Sequence, residues 1–192
     1  MELGPADDAD LLRAHGAGDR HAFGRLYDRY DRQCFLFIRR TLGPAHADAA
    51  EDLHQETWMS VATHAGSYDA RKSSFATWLF AIARNKVWDY FRRQKVAVLA
   101  TGEDDAAMMV ADPGPTPLEW TQSRELALTL IAAVDALPVV QRETFVMFAQ
   151  GGLSLDEIAG ATNVGVETTK SRLRYARAAL KRIMPDQRSA NG

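Results

Sequence analysis

The sequence contains one cysteine, Cys34, and this scarcity limits the chemistry available to the chain. A single cysteine forms no disulfide within the chain and supplies no thiolate-rich zinc site. Cys34 lies in an apolar stretch, residues 34–38, where we interpret it as a small core residue. We expect no metal and no other cofactor, because the five histidines are scattered along the chain, at positions 15, 21, 46, 54 and 64.

Long apolar runs are also missing. No stretch is long enough to cross a bilayer, and the acidic N-terminus lacks the apolar centre of a signal peptide. The sequence therefore predicts a soluble, cytoplasmic protein.

The chain has no basic excess, since 23 Lys and Arg stand against 25 Asp and Glu, and this balance by itself argues against nucleic acid. The distribution of charge is more informative than the total. Residues 96–122 carry five carboxylates and no Lys or Arg, and three prolines lie within residues 113–117. This composition predicts an acidic, extended linker over residues 96–122, which separates two domains at residues 8–95 and 123–184.

Residues 151–182 have the pattern of a helix-turn-helix. Ser154 and Glu157 match a capping box, in which the serine accepts from the Glu157 amide and the glutamate carboxylate reaches back. Turn-forming residues 162–165 follow, and then a second amphipathic run whose apolar stripe includes Leu173. Helix, tight turn and helix are typical of DNA-binding domains whose second helix enters the major groove.

The second helix of this pair is strongly cationic. Six Lys and Arg lie from Lys170 to Arg182, with no Asp or Glu among them. Ser171, Arg174 and Tyr175 fall on the side away from the apolar stripe, which leaves a small reading face flanked by cations for phosphates. The alternative is a solvated cationic helix in an ordinary bundle, although such a helix normally mixes signs because Glu–Lys pairs stabilise it.

The N-terminal domain also has helical spacing throughout. A short opening helix is predicted over residues 7–15, and Asp19 is a good N-cap for a long helix that ends at Gly43. Asp48 is predicted to cap a third helix. The whole pattern predicts an all-α fold of two small helical domains joined by the linker. The outer face of the third helix is either merely solvated or a docking face for a basic partner helix, and it presents Asp52, Gln55, Glu56 and Met59.

A second informative stretch combines aromatic rings, amides and cations. The loop 65–73 holds Tyr68 and two cations, and the helical stretch after it directs Phe75 and Trp78 toward a core. Such a face suits single-stranded or unstacked DNA, because rings stack on bases, amides bond base edges and cations follow the backbone. Aromatic residues at helical spacing are more often core residues, so the interpretation of Tyr68 and Trp88 stays open.

Three motifs occur in order along the chain. They are residues 52–58 (DLHQETW), residues 75–89 (FATWLFAIARNKVWD) and the series LP, QRE, GLS, EIA and TTKSRL within residues 137–173. Together they resemble the bacterial sigma-70 family of RNA polymerase sigma factors, and the two-domain size is similar to the extracytoplasmic-function (ECF) group. Glu167 and Tyr175 depart from the common family pattern, which leaves the docking mode credible and puts the base sequence that is read in doubt.

The resemblance implies a role for each domain. Residues 8–95 would be sigma domain two, which docks on the clamp helices of core RNA polymerase and captures a flipped base of the minus-ten element. Residues 123–184 would be sigma domain four, whose recognition helix reads the minus-thirty-five element. The implied polymerase contacts are Asp52, Gln55, Glu56 and Met59. The implied minus-ten contacts are Tyr68, Arg84, Asn85, Lys86, Trp88, Asp89 and Arg92. The implied minus-thirty-five contacts are Lys170, Ser171, Arg174 and Tyr175 as reading residues and Thr168, Arg172 and Arg177 as phosphate contacts.

The implied function is that of a promoter-specificity subunit, which directs polymerase to promoters and helps open the minus-ten element, and not that of an enzyme. The partners would be core RNA polymerase and promoter DNA, with no small-molecule substrate. Factors of this group are commonly held by an anti-sigma factor, often membrane-anchored, and the resemblance implies such a partner. The alternative is a helix-turn-helix regulator that binds duplex DNA by itself as a dimer, for which a base-stacking surface would have no use.

Overall fold

The structure is a computed structural model that describes residues 7–94 and 119–183. Within these ranges the regular elements are all helical, which confirms the predicted all-α fold. The α-helices are α1 (Asp8–Gly16), α2 (Arg20–Leu42), α3 (Ala50–Thr63), α4 (Phe75–Arg93), α5 (Glu119–Asp135), α6 (Val139–Ala149), α7 (Leu155–Thr162) and α8 (Val166–Ile183). Short 3-10 helices occur at Pro44–Ala49 and Ala65–Ser67. Residues 96–118 of the predicted linker lie outside the described residues. The predicted end of the linker is wrong, because residues 119–122 already belong to α5.

Helices α1 to α4 form the N-terminal half, residues 7–94. Helix α2 begins as predicted, because the Asp19 carboxylate accepts from the backbone amides of His21 and Ala22. It also ends as predicted, at Gly43, whose φ of 76° lies in the region that favours glycine.

The prediction that Asp48 caps α3 is wrong. Pro44–Ala49 form a 3-10 helix that runs directly into α3, and no side chain caps the N-terminal residue Ala49. Pro44 fixes a helical φ at the start of this segment, so helical hydrogen bonding begins before Asp48 is reached.

The core of the N-terminal half lies between α2, α3 and α4. Phe37 of α2 packs edge-on against Phe80 of α4, with ring centroids 5.2 Å apart, and neither residue is exposed. The inner face of α3 is buried against this core, and its members are Ala50, Leu53, Thr57 and Val61.

Helices α5 to α8 form the C-terminal half, residues 119–183. The predicted capping box of α7 is present in full, with Ser154 accepting from the Glu157 amide and the Glu157 carboxylate accepting from the Ser154 amide. Asn163 then adopts the left-handed conformation at φ 55°, which turns the chain sharply into α8. The predicted helix-turn-helix is therefore confirmed as a local structure.

The two halves pack against each other, with α2 against α6 and α4 against α7. Their buried apolar residues belong to one continuous cluster. The backbone of the C-terminal half lies close to α4 at Gly151, because a Cβ atom added there would be only 3.1 Å from the ring Cζ of Phe80. In the described ranges no helix is both long enough and apolar enough to span a membrane.

Candidate functional site

Helix α8 turns an apolar stripe inward and a polar face outward. Leu173, Ala176 and Leu180 are buried, whereas Arg174 is exposed and Tyr175 keeps 49 % of its surface exposed. The Arg174 guanidinium lies over the Tyr175 ring, with Cζ 5.2 Å from the ring centroid. Such stacking orients the guanidinium while leaving its donors accessible.

The other polar residues of α8 surround this pair. Lys170 is exposed and pairs with Glu167, with 2.6 Å between Nζ and the carboxylate oxygen. Arg177 is exposed and its guanidinium lies 4.7 Å from the ring centroid of Phe148. Thr168 and Ser171 are partly buried. These side chains form one cationic, hydrogen-bonding surface, which is the chemistry that duplex DNA requires.

Arg172 lies apart from this surface. Its side chain is 21 % exposed, and its Nη1 is 4.0 Å from a carboxylate oxygen of the buried Glu143. Burial lowers the pKa of Arg172, and the nearby carboxylate partly offsets that effect. Arg172 therefore links α8 to α6 instead of facing outward.

Helix α4 presents the second polar face. Asn85 and Arg92 are exposed, Asp89 is partly exposed, and the Asp89 carboxylate accepts a hydrogen bond from Arg92. Lys86 is partly buried and reaches across to α3, with 3.5 Å between its Nζ and a carboxylate oxygen of Glu56. The amide and the exposed guanidinium remain accessible to an unpaired base and its phosphate.

Tyr68 packs at the edge of the core of the N-terminal half. Its ring lies 5.4 Å from Trp78 and 6.1 Å from Phe75, measured between centroids, and its hydroxyl donates to the Ser73 carbonyl at 3.1 Å. Burial raises the pKa of Tyr68 above its usual value. The partly exposed ring edge therefore has a fixed position.

Arg84 and Trp88, from the same helix, contact the C-terminal half. The Arg84 Nε donates to a carboxylate oxygen of Glu143 at 3.1 Å, and the Trp88 indole Nε1 donates to the same oxygen at 2.8 Å. Arg84 also lies over the Trp88 ring, with Cζ 5.2 Å from the centroid. Both side chains are therefore engaged by the other half of the protein.

The outer face of α3 combines charge with an exposed thioether. Asp52 and Gln55 are exposed, Glu56 is partly buried, and Met59 keeps 70 % of its surface exposed. An exposed methionine beside carboxylate and amide groups is unusual for a solvated face, and it suits an adaptable protein contact.

Sequence reasoning missed the residues that join the two halves. Glu143 is fully buried, and burial raises its pKa while Arg84 and Trp88 favour the charged form. One signal was available, because Glu143 falls at helical spacing with Val139, Val146 and Met147 on the inner face of α6. A carboxylate in such a stripe requires buried partners.

Glu157 is the second missed contact. One of its carboxylate oxygens accepts from the hydroxyl of Ser74, the N-cap of α4, at 2.7 Å and from that of Thr77 in the first turn of α4 at 2.9 Å. The other accepts from the amide and hydroxyl of Ser154, both at 2.9 Å. Hydrogen bonds from Ser74 first, and then from the Ser154 amide, lower the pKa of Glu157 to about 2.

Across residues 7–94 and 119–183, no group of three or more His, Cys, Asp or Glu side chains is placed to hold a metal ion. The geometry instead presents three polar surfaces, on α3, α4 and α8.

Comparison with known proteins assigns both halves to one family. Residues 26–96 match Sigma-70 region 2, and residues 127–180 match Sigma-70, region 4. The chain is 37 % identical over 179 residues to the ECF RNA polymerase sigma factor SigM of Mycobacterium tuberculosis, a match covering 92 % of this chain and 84 % of the relative. It is 32 % identical over 176 residues to SigW of Bacillus subtilis, covering 88 % and 92 %.

Two solved structures share the fold. CnrH in complex with the cytosolic domain of CnrY matches with a TM-score of 0.64 at 22 % identity, covering 96 % of this chain and 99 % of that one. The sigma factor RpoE from Bartonella quintana, in complex with the anti-sigma factor NepR, matches with a TM-score of 0.62 at 22 % identity, covering 88 % and 98 %.

Proposed function

The chain belongs to the extracytoplasmic-function group of the sigma-70 family, and we propose that its three polar surfaces bind polymerase and the two promoter elements. It is thus a promoter-specificity subunit of RNA polymerase and a transcription regulator, not a classical enzyme. The family assignment decides against a regulator that acts on duplex DNA by itself.

Helix α8 reads the minus-thirty-five element in the major groove. Arg174 and Tyr175 support this assignment, because both are exposed on the face opposite the buried stripe. Lys170 and Ser171 flank them as further base contacts, and Thr168 and Arg177 hold phosphates. Arg172 serves a different role in this proposal, since its contact with Glu143 fixes the position of α8 on α6.

Helix α4 and the loop before it capture the unpaired minus-ten strand. Asn85 offers an exposed amide for a base edge, and Arg92 offers a cation for the backbone. Tyr68 supplies a ring that is already positioned by its neighbours. The remaining contacts of this surface are Arg84, Lys86, Trp88 and Asp89.

The outer face of α3 docks on core polymerase, at the clamp helices. The exposed carboxylate and amide of Asp52 and Gln55 suit a basic partner helix, and Met59 provides apolar area at the centre of the contact. Glu56 lies between them and is tied to α4 through Lys86.

We assign an anti-sigma factor as a further partner. Support comes from the two structural neighbours, CnrH and RpoE, each of which is described in complex with a partner, the cytosolic domain of CnrY and the anti-sigma factor NepR. The chain would act in the cytoplasm, where polymerase and promoters are found.

The main support for this proposal is the exposed position of Arg174 on the second helix of a helix-turn-helix. The substitution Arg174→Ala tests it. A promoter is first identified by sequencing transcripts after overproduction of the chain. Run-off transcription from that promoter should fall by about tenfold or more, since a good base contact contributes roughly 1 to 3 kcal/mol. Arg182→Ala is the matched control, because Arg182 is an exposed cation in the last turn of the same helix.

A pull-down with core polymerase separates recognition from docking. Arg174→Ala should bind core polymerase as the unaltered chain does, whereas Gln55→Ala with Glu56→Ala should bind more weakly. Glu51→Ala, an exposed carboxylate one turn earlier on α3, is the control. Unchanged promoter selection by Arg174→Ala would refute the role given to α8, and unchanged core binding by the double variant would refute the docking face.

A further inference from the structure

A cavity lies between α1 and the loop that precedes α4. Its volume is about 280 Å³, just below the roughly 300 to 1,000 Å³ of pockets that hold drug-sized ligands. Glycine and alanine make up most of its lining, and the larger residues are the buried Leu12 together with Arg13 and Tyr68. A cavity of this size admits a single ring system.

Both walls of the cavity are fixed by contacts within the N-terminal half. On one side, the Asp8 carboxylate of α1 accepts from Arg29 at 2.6 Å and from the hydroxyl of Tyr30, both on α2. On the other side, the Tyr68 hydroxyl donates to the Ser73 carbonyl at 3.1 Å. The space is therefore formed before a ligand arrives, and binding requires little ordering of the protein.

The charges around the cavity favour an uncharged ligand. Burial, and then the negative charges of Asp7 and Asp8, raise the pKa of Tyr68, so these carboxylates act on the ring that lines the cavity. They disfavour a phosphate in the interior, because like charges repel. A nucleobase is neutral, and its amino groups donate to oxygen acceptors. The interior therefore suits a base better than an anion.

Arg13 places a cation at the opening of the cavity. Its side chain contributes to the lining and is nevertheless 73 % exposed, and it pairs with Asp10 of the same helix at 2.5 Å. Such an exposed pair contributes little, so the guanidinium can exchange the carboxylate for a phosphate, which it binds with the same geometry. A neutral interior with a cation at its edge suits a nucleotide whose ring lies inside and whose phosphate lies outside.

Tyr68 connects the cavity to the proposed minus-ten surface. Its ring lines the cavity and also contacts Trp78 of α4, with 5.4 Å between the centroids. Asn85 follows Trp78 by about two turns of α4 and so lies on the same side of that helix. A strand that is bound along this side of α4 therefore reaches the cavity at Tyr68.

We propose that this cavity receives a second unpaired base of the promoter strand, stacked against Tyr68, while Arg13 holds the phosphate of that nucleotide. The inference rests on the proposed function, because it requires the strand to follow α4. The base in the cavity is a different one from the base whose edge Asn85 contacts. Helix α1 thereby takes part in promoter recognition.

Forked promoter DNA tests this proposal in the holoenzyme assembled from core polymerase and the full chain. The DNA is duplex upstream and carries a single non-template strand from the minus-ten element onward, taken from a promoter that the chain transcribes. Each base of the single strand is replaced in turn by an abasic residue, and the affinity is measured by fluorescence anisotropy. With the unaltered chain, replacement at two or more positions should weaken binding by about tenfold each, because a stacked base is lost.

Two variants fill the cavity from opposite walls, Gly66→Leu from the loop and Ala9→Leu from α1. A Cβ added at Gly66 would meet nothing within 4 Å, so the leucine extends into open space. In both variants, one sensitive position should lose its sensitivity, because its base is already excluded, and the others should keep theirs. Gly24→Leu is the matched control, since Gly24 is exposed on α2 and also has open space around an added Cβ. An unaltered abasic pattern in both filled variants would overturn the proposal.

The phosphate contact is tested by Arg13→Ala in the same holoenzyme. Binding of the forked DNA should weaken, and its salt dependence should fall, because one cation near the backbone is lost. Arg25→Ala, which removes an exposed cation of α2 outside the cavity, is the control and should change neither. Equal salt dependence for Arg13→Ala and the unaltered chain would refute the role of Arg13.

Asn85→Ala separates failure of this inference from failure of the proposed function. Asn85 belongs to the proposed minus-ten surface and does not line the cavity. If Asn85→Ala weakens binding while both filled variants keep the unaltered abasic pattern, the cavity inference fails alone. If Asn85→Ala has no effect either, the assigned path of the strand along α4 fails, and the inference fails with it. Circular dichroism verifies that every variant is folded.

Discussion

Removal of one charge, Glu157→Gln, tests how the two halves are held together. Glu157 lies where the N-termini of α7 and α4 meet, and it caps the first helix while accepting from the hydroxyls that begin the second. Negative charge is stabilised near the N-terminus of a helix, and the Glu157 carboxylate lies near the N-termini of both α7 and α4. Glutamine preserves the shape, since its oxygen can accept from the Ser154 amide while its NH₂ donates to the Ser74 and Thr77 hydroxyls.

The expected magnitude follows from the pKa of Glu157, which its hydrogen bonds lower to about 2 from 4.5. A shift of this size corresponds to about 3 kcal/mol, and partial exposure of the carboxylate reduces the stabilisation to about 1 to 2 kcal/mol. Because the folded pKa is below the ordinary one, the unfolded chain binds the proton first as the pH falls. The stabilisation is therefore complete above about pH 5 and is lost between about pH 5 and pH 2.

Urea unfolding of the full chain, followed by circular dichroism from pH 7 to pH 3, measures this effect. The difference in unfolding free energy between the unaltered chain and Glu157→Gln should be constant from pH 7 to about pH 5 and should then shrink toward pH 3. Glu167→Gln is the control, because Glu167 is also in the first turn of a helix but its side chain is 85 % exposed. It should cost less than about 0.5 kcal/mol. A difference for Glu157→Gln that stays constant with pH would refute the electrostatic explanation.

Three other predictions concern single residues. Burial raises the pKa of the Cys34 thiol, so its alkylation by iodoacetamide at pH 8, measured by mass spectrometry, should be at least about a hundredfold slower in the folded chain than in urea. Asn163→Val should lower the unfolding free energy by about 1 to 2 kcal/mol more than Asn163→Gly, because φ at this position is 55°, which a β-branched residue tolerates poorly. Urea unfolding of the two variants measures the difference, and equal stability would contradict the prediction. Arg172→Gln should lower the unfolding free energy more than Arg177→Gln, because Arg172 lies beside the buried Glu143. Only Arg177→Gln should reduce the salt dependence of promoter binding by polymerase. A reduced salt dependence for Arg172→Gln instead would identify Arg172 as a phosphate contact.

The sequence predicts best what is decided within a few residues. The capping box at Ser154 and Glu157, the cap at Asp19 and the end of α2 at Gly43 all depend on one side chain or one backbone angle, and all are confirmed. The prediction for Asp48 is wrong although its chemistry is suitable, because Pro44 had already begun a helical turn upstream. A capping prediction from one residue therefore fails where a residue upstream, here Pro44, has already started the helix.

Rules about neighbouring residues do not predict the contacts between the halves. Arg84 and Glu143 are 59 residues apart in sequence, and Ser74 and Glu157 are 83 apart. Periodicity places each of these side chains on a face of its own helix but does not say which face meets which. The indole of Trp88, whose role the sequence left open, turns out to be a donor to a buried carboxylate.

The interface between the halves combines an apolar contact with buried charges. The apolar contact holds the halves together in proportion to its buried area, because their buried apolar residues form one continuous cluster. The ion pair between Glu143 and Arg84 adds less net stability than its short distance suggests, because the mutual attraction of buried charges is largely offset by their lost hydration. Removal of either partner would still be strongly destabilising, since it leaves an uncompensated buried charge.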